Sequence, residues 1–226
     1  MKNNQVFSLD LPQIGRLSGV VTAPADHDPN KEKLPVIVFL HGAGEVGDGS
    51  PAALPRVYAH GIPKYFGKDA DYLGLRVLTI SPQCPEGLIW DQITLHLTAY
   101  LDAALAAFGG DPARVALTGI SMGGFGTWNL ITTYPDRFYR AAPICGGGVV
   151  WRINDRLKNK PIRIYHSVDD PSVPFLCSAM MAQRAEAVGA DVEFVSYCGE
   201  GHGCWDRAYE EGDLIEWLAG NAEQGR

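Results

Sequence analysis

The sequence predicts an α/β protein with a mainly parallel central sheet, helices on both faces and no large cap domain. Three observations carry that expectation. Short apolar runs bounded by Gly or Pro recur along the chain, as strands buried on both faces require. Segments with apolar residues at helical spacing fall between them, the alternation that builds a parallel sheet wrapped by helices. The length of 226 residues suits one domain, 1–226, with a sizeable core, and is short for two.

Taken in order, the apolar runs cover 34–40, 75–80, 114–118, 140–145, 161–165 and 192–197. The spacing predicts helices over 88–108, 122–133, 175–188 and 206–218, the first ending at Gly109-Gly110 and the third at Gly189. The stretch up to Ala23 is expected to add one or two antiparallel strands at the sheet edge. No internal repeat or low-complexity segment interrupts this order.

Composition excludes several classes. Hydrophobic residues make up 46% and charged residues 20%, as in an ordinary globular enzyme. The 26 glycines and 15 prolines are scattered, which indicates tight turns rather than a collagen or a linker. A net charge of −7 and the lack of a basic run argue against nucleic acid or anionic lipid as partner. The N-terminus has no continuous apolar core of the signal-peptide kind, and no run approaches a membrane span of roughly 20 apolar residues. The expectation is a cytoplasmic protein, monomer or homodimer, acting on a neutral small molecule. The five cysteines show no paired motif and read as free thiols, Cys84, Cys145 and Cys177 in apolar or turn contexts. Cys198 and Cys204 flank His202, so a disulfide between them is an alternative. A zinc site there lacks a fourth ligand, and no metal is expected.

Chemistry enters at Gly119-Ile-Ser-Met-Gly123, a G-x-S-x-G pattern between the third predicted strand and the second helix. On such a strand-to-helix turn Ser121 projects above the carboxyl edge of the sheet. The following helix aims its N-terminus at the same point and favours negative charge there. The N–H of Met122 is then placed to stabilise an oxyanion. A serine hydroxyl needs a base, and the base an orienting acid. With a nucleophile in this position the acid and base follow in the order Ser, Asp or Glu, His. His202, in Gly199-Glu-Gly-His-Gly203 between the sixth strand and the last helix, fits as base. The acid is Asp169 or Asp170, both after the fifth strand. The glycine-rich loop from His41 to Gly49 offers the N–H of Ala43 as second oxyanion donor. Gln83, Trp90, Trp151 and Trp205 lie in loops expected to rim the substrate pocket, with packing as the competing role for the aromatics.

With these residues placed, the chain resembles an α/β hydrolase of the dienelactone-hydrolase and phospholipase/carboxylesterase group. It is similar in particular to bacterial esterases labelled predicted peptidases or polyhydroxybutyrate depolymerase-like. The resemblance runs from about Leu34 to Trp217. It rests on Phe39-Leu-His-Gly-Ala-Gly-Glu45, Ser81-Pro-Gln-Cys-Pro-Glu-Gly87 with Trp90, Leu117-Thr-Gly-Ile-Ser-Met-Gly-Gly-Phe-Gly-Thr-Trp128, Pro143-Ile-Cys-Gly-Gly-Gly148, and the closing His-x-x-x-Asp-x-x-Val-Pro and Gly-His-Gly motifs. It implies that the acid falls four residues after His166, hence Asp170, and that Ala43 and Met122 are the oxyanion donors. Two departures are visible: Val46 stands where relatives carry Arg, and a serine rather than a cysteine at 121 argues against dienelactone hydrolase activity itself. The implied activity is carboxylic ester hydrolysis by a Ser121–His202–Asp170 triad through an acyl-enzyme, with no cofactor. A serine peptidase of the same fold, and a non-catalytic binding module, are the alternatives.

Overall fold

A computed structural model describes residues 4–221. Its centre is an eight-stranded sheet built from β1 (Asn4–Leu11), β2 (Gly15–Thr22), β3 (Leu34–Leu40), β4 (Leu78–Pro82), β5 (Gly110–Ile120), β6 (Arg140–Ile144), β7 (Pro161–Ser167) and β8 (Asp191–Tyr197). The spatial order is β1-β2-β4-β3-β5-β6-β7-β8. β1, β2 and β4 pair antiparallel, and every pair from β4 to β8 is parallel. The expected edge strands are therefore present, and the chain has the α/β-hydrolase fold.

Side-chain alternation on β3 shows how the layers form. Val36, Val38 and Leu40 enter one core, whereas Ile37 and Phe39 enter the other, because successive residues of a strand face opposite sides. The first core is closed by α2 (Thr94–Phe108), α3 (Met122–Thr133) and α4 (Leu176–Ala187) through Leu97, Leu101, Trp128, Ile131, Met181 and Ala185. The second is closed by α1 (Gly61–Phe66), α5 (Trp205–Glu210) and α6 (Leu214–Ala219) through Ile62, Phe66, Tyr209, Ile215 and Leu218.

Several elements differ from the sequence expectation. The helix expected over 88–108 starts at Thr94, after a 3-10 turn at Trp90–Ile93. The helix expected over 206–218 is two helices, broken where Gly212 takes a φ of 88°. β5 is longer than expected: Gly110 pairs with Leu34, and the ladder resumes at Val115 opposite Val36, the register shifting to pass the segment containing Pro112, which has no N–H for the ladder. Helix α1 was not foreseen, being six residues with a proline inside. Among the described residues no helix is long and apolar enough to cross a membrane.

Candidate active site

Ser121 occupies the turn between β5 and α3 with φ 52° and ψ −117°. A non-glycine residue with positive φ is strained and persists only when its surroundings hold it. Two things hold it here. Its N–H donates to Ile144 O on β6 at 3.0 Å, and its carbonyl accepts from Phe125 N at 3.1 Å. Its glycine neighbours also allow a close approach: a Cβ on Gly119 would lie 2.4 Å from Gly123 O, and one on Gly123 1.9 Å from Leu40 O. Helix α3 thus presses its first turn against the end of β3, with its N-terminus at the serine.

The His202 loop returns across the same edge. Ser121 Oγ donates to His202 Nε2 at 2.8 Å, and His202 Nδ1 donates to Asp170 Oδ2 at 2.7 Å. A carboxylate only accepts, so Nδ1 carries the proton and Nε2 faces the hydroxyl. The Asp170 side chain is fully enclosed. Its other oxygen accepts from Ser172 N at 2.8 Å and Val173 N at 2.9 Å. Burial pushes this carboxyl up, but the hydrogen bonds from His202, Val173 and Ser172 together outweigh it and leave the carboxyl below its ordinary value. Asp169 points elsewhere: it accepts from Ser167 Oγ and from Gly199 N, tying the end of β7 to the His202 loop.

The loop after β3 is braced from beneath. His41 is 0% exposed, accepts from Cys84 N on Nε2 at 2.9 Å and donates from Nδ1 to Gly42 O at 2.6 Å. Burial pushes this imidazole down to about 4, so it is neutral at pH 7. Gln83 is buried. Its Nε2 donates to Glu45 O and Ala53 O, both at 2.9 Å, and its Oε1 accepts from Gly49 N at 3.1 Å. Trp90 donates from Nε1 to His41 O at 3.0 Å. Within this frame the N–H groups of Ala43 and Met122 have no protein acceptor among the described residues.

A cleft of about 310 Å³ opens at the serine, lined by Ile89, Trp90, Asp91, Ser121, Met122 and Phe125. That is near the small end for ligand pockets. Of the four residues expected at its rim, Trp90 is in the wall. Gln83 lies beneath the loop with both ends of its amide used by backbone groups. Trp151 is 84% exposed and outside the lining. Trp205 is outside the lining, its ring edge-on to the His202 imidazole at 5.4 Å. Sequence reasoning missed Phe125 and Met122 as wall residues, and His41 as the brace of the loop. Their helical or motif positions gave no sign of direction.

All five cysteines are free. Cys198 is exposed and Cys204 buried, and no disulfide joins them. Among the described residues, ligand atoms of Cys145, Asp170 and His202 gather within 4.8 Å of one another. A metal needs a thiolate there, and burial next to Cys204 pushes the Cys145 thiol well above its ordinary value. The direct His202–Asp170 bond also occupies the facing ligand atoms.

Comparison with known proteins shows the family. A profile of the dienelactone hydrolase family matches residues 76–216. The structure of a thermostable esterase superposes with a TM-score of 0.79 and 30% identity, over 96% of this chain and 62% of that one. A ferulic acid esterase superposes with a TM-score of 0.75 at 17% identity, over 96% and 99%. Esterase 2 of Thermogutta terrifontis, with butyrate bound, superposes at 0.69 and 17% identity, over 99% and 97%. In sequence, 37 residues are 57% identical to poly(3-hydroxyalkanoate) depolymerase C of Paucimonas lemoignei, covering 16% of this chain and 9% of that enzyme. The chain thus spans about three fifths of the thermostable esterase and a small part of the depolymerase.

Proposed function

Since the chain belongs to the dienelactone hydrolase family, we propose that it is a carboxylesterase-like serine hydrolase acting on small-molecule esters. One observation carries this reading: a continuous hydrogen-bonded line from Ser121 Oγ through His202 to Asp170, with steps of 2.8 and 2.7 Å. The similarity to the thermostable esterase supports it.

The chemistry follows from the geometry. His202 Nε2 takes the Ser121 proton as Oγ attacks the ester carbonyl. The oxyanion is met by the N–H groups of Ala43 and Met122 and by the positive end of α3. Asp170 keeps the imidazole in the tautomer that accepts from serine and stabilises its charge in the transition state. Protonated His202 releases the alcohol, and water then attacks the acyl-enzyme by the same proton path. A cleft walled by Trp90, Met122 and Phe125 favours an apolar group beside the carbonyl.

A second reading is favoured by one contact: Cys145 lies in the same cluster as His202 and Asp170, which makes it a candidate nucleophile. Physical chemistry is against it. The thiolate is the reactive form, yet Cys145 is 0% exposed and its thiol is pushed well up by burial. It also lies outside the lining of the cleft.

The test uses p-nitrophenyl esters of graded acyl length, aminoacyl p-nitroanilides, and a fluorophosphonate label on wild type, Ser121→Ala and Cys145→Ala. Ester turnover and labelling are expected in wild type and Cys145→Ala, with turnover down by about 10⁴-fold in Ser121→Ala. Loss in Cys145→Ala with retention in Ser121→Ala establishes the second reading. Turnover of anilides alone makes the protein a peptidase.

A further inference from the structure

We propose that His166 is a positioning residue that anchors the triad acid to the sheet; this rests on the Ser121–His202–Asp170 reading. The need for an anchor is visible in the segment that carries Asp170. Val168 and Asp169 before it are exposed, and so are Pro171 and Ser172 after it. The two N–H groups that hold Asp170 Oδ1 belong to Ser172 and Val173. Both lie in the same turn and move with it. His202, the third partner, is itself on a loop. None of these three ties the carboxylate to the sheet.

His166 does. It lies near the end of β7 and is 0% exposed. Its Nε2 is 2.9 Å from Val173 O and 3.2 Å from Asp170 Oδ2. A carbonyl only accepts, so Nε2 carries a proton and donates it to the turn's backbone at Val173 O, with the acid's Oδ2 beside it. Its Nδ1 is 2.7 Å from the buried Ser178 Oγ on α4, and the same oxygen is 2.7 Å from Gly146 O. Gly146 in turn lies against α3: a Cβ on Gly124 would meet its Cα at 3.0 Å. The ring is capped edge-on by Phe175 at 5.7 Å. One imidazole thus joins β7, the acid's turn, α4 and the loop after β6, which backs the nucleophile helix. The hydrogen-bonded line Ser121–His202–Asp170 ends 3.2 Å from His166 Nε2, and His166 holds the acid's turn through Val173 O. A buried aliphatic side chain would fill the space but hold nothing at Asp170.

The consequence is specific. Without the Nε2 donor the carboxylate keeps its local bonds but loses its fixed distance to His202. A misplacement of about 1 Å in a catalytic constellation costs up to about 100-fold, and it falls on the proton-transfer step rather than on substrate binding.

The experiment compares wild type with His166→Leu, His166→Gln and Ser178→Ala on the best ester of the panel. The Gln amide places an N–H donor where Nε2 stands. Expected in His166→Leu is a kcat lower by about 10- to 100-fold with KM within about twofold. The far-downfield proton NMR signal of the His202–Asp170 bond should be broadened or lost. His166→Gln should recover most of kcat and the signal, and Ser178→Ala should lie between. If His166→Leu does not fold, as read by circular dichroism, His166→Gln and Ser178→Ala carry the comparison. An unchanged kcat and NMR signal in Ser178→Ala then overturns the proposal. Equal losses in folded His166→Leu and His166→Gln, or a wild-type signal in His166→Leu, overturn it as well. Wild-type protein that hydrolyses no ester overturns the parent reading instead.

Discussion

Acidification should weaken this fold through a residue that takes no part in the proposed chemistry. His41 is enclosed beneath the loop after β3, and burial lowers its imidazole from 6.5 to about 4. Its Nε2 accepts from Cys84 N, so a proton can be added there only by breaking that bond. The unfolded chain takes up this proton below about 6.5, whereas the folded protein refuses it until about 4. Stability therefore rises with pH across this window. The contribution is present above 6.5, is lost as pH falls, and falls no further below about 4. At about 1.4 kcal/mol for each tenfold change in proton affinity, the full effect is about 3 kcal/mol, of which about 2 kcal/mol is lost between pH 7 and pH 5. Urea unfolding at those two pH values measures it, with His41→Gln as reference, because the amide oxygen accepts from Cys84 N without titrating. The wild type should lose about 2 kcal/mol more than the variant. Equal losses would show that His41 does not set this pH dependence, since every other titrating group is common to both proteins.

Three further expectations follow from the same geometry. Asp170→Asn should lower kcat by about 10⁴-fold, because the amide favours the wrong His202 tautomer, whereas Asp169→Asn, whose amide oxygen can still accept from Ser167 Oγ and Gly199 N, should stay within about tenfold in the same ester assay. Gly123→Ala places a methyl 1.9 Å from Leu40 O; a backbone oxygen cannot yield cheaply, so thermal melting should show a loss of about 3 kcal/mol or more, and an unchanged Tm would contradict the close packing of α3 on β3. Gln83→Ala strands three backbone partners and should cost about 1–3 kcal/mol with slower turnover, whereas Trp151→Ala, at an exposed site, should stay within about 0.5 kcal/mol with unchanged kcat/KM.

The order of elements was legible because it depends on local patterns. The β3 run is apolar on both faces, and the structure uses both, one for each layer of helices. Helix α3 falls where its spacing put it, since the chain enters it through a glycine turn and leaves it before Pro135. The closing helix was misjudged because Leu214, Ile215 and Leu218 continue an apolar spacing begun before Gly212, and period alone does not register a break in direction. Side-chain direction was the harder problem. Trp90, Trp151 and Trp205 look alike in sequence, yet one walls the cleft, one is in solvent and one backs the imidazole. Each outcome is set by residues far along the chain.

The sequence by itself determined the fold class and brought a serine turn, an acid turn and a histidine loop to the same edge, because strand-to-helix order fixes which loops share that edge. Between the adjacent Asp169 and Asp170 the residues alone left the choice open. Only the tertiary structure shows that Asp170 turns inward to His202 and His166 while Asp169 turns toward Ser167 and Gly199. The physical reason is that a hydrogen bond between groups dozens of residues apart depends on orientation to within an ångström, and packing across the whole domain sets that orientation.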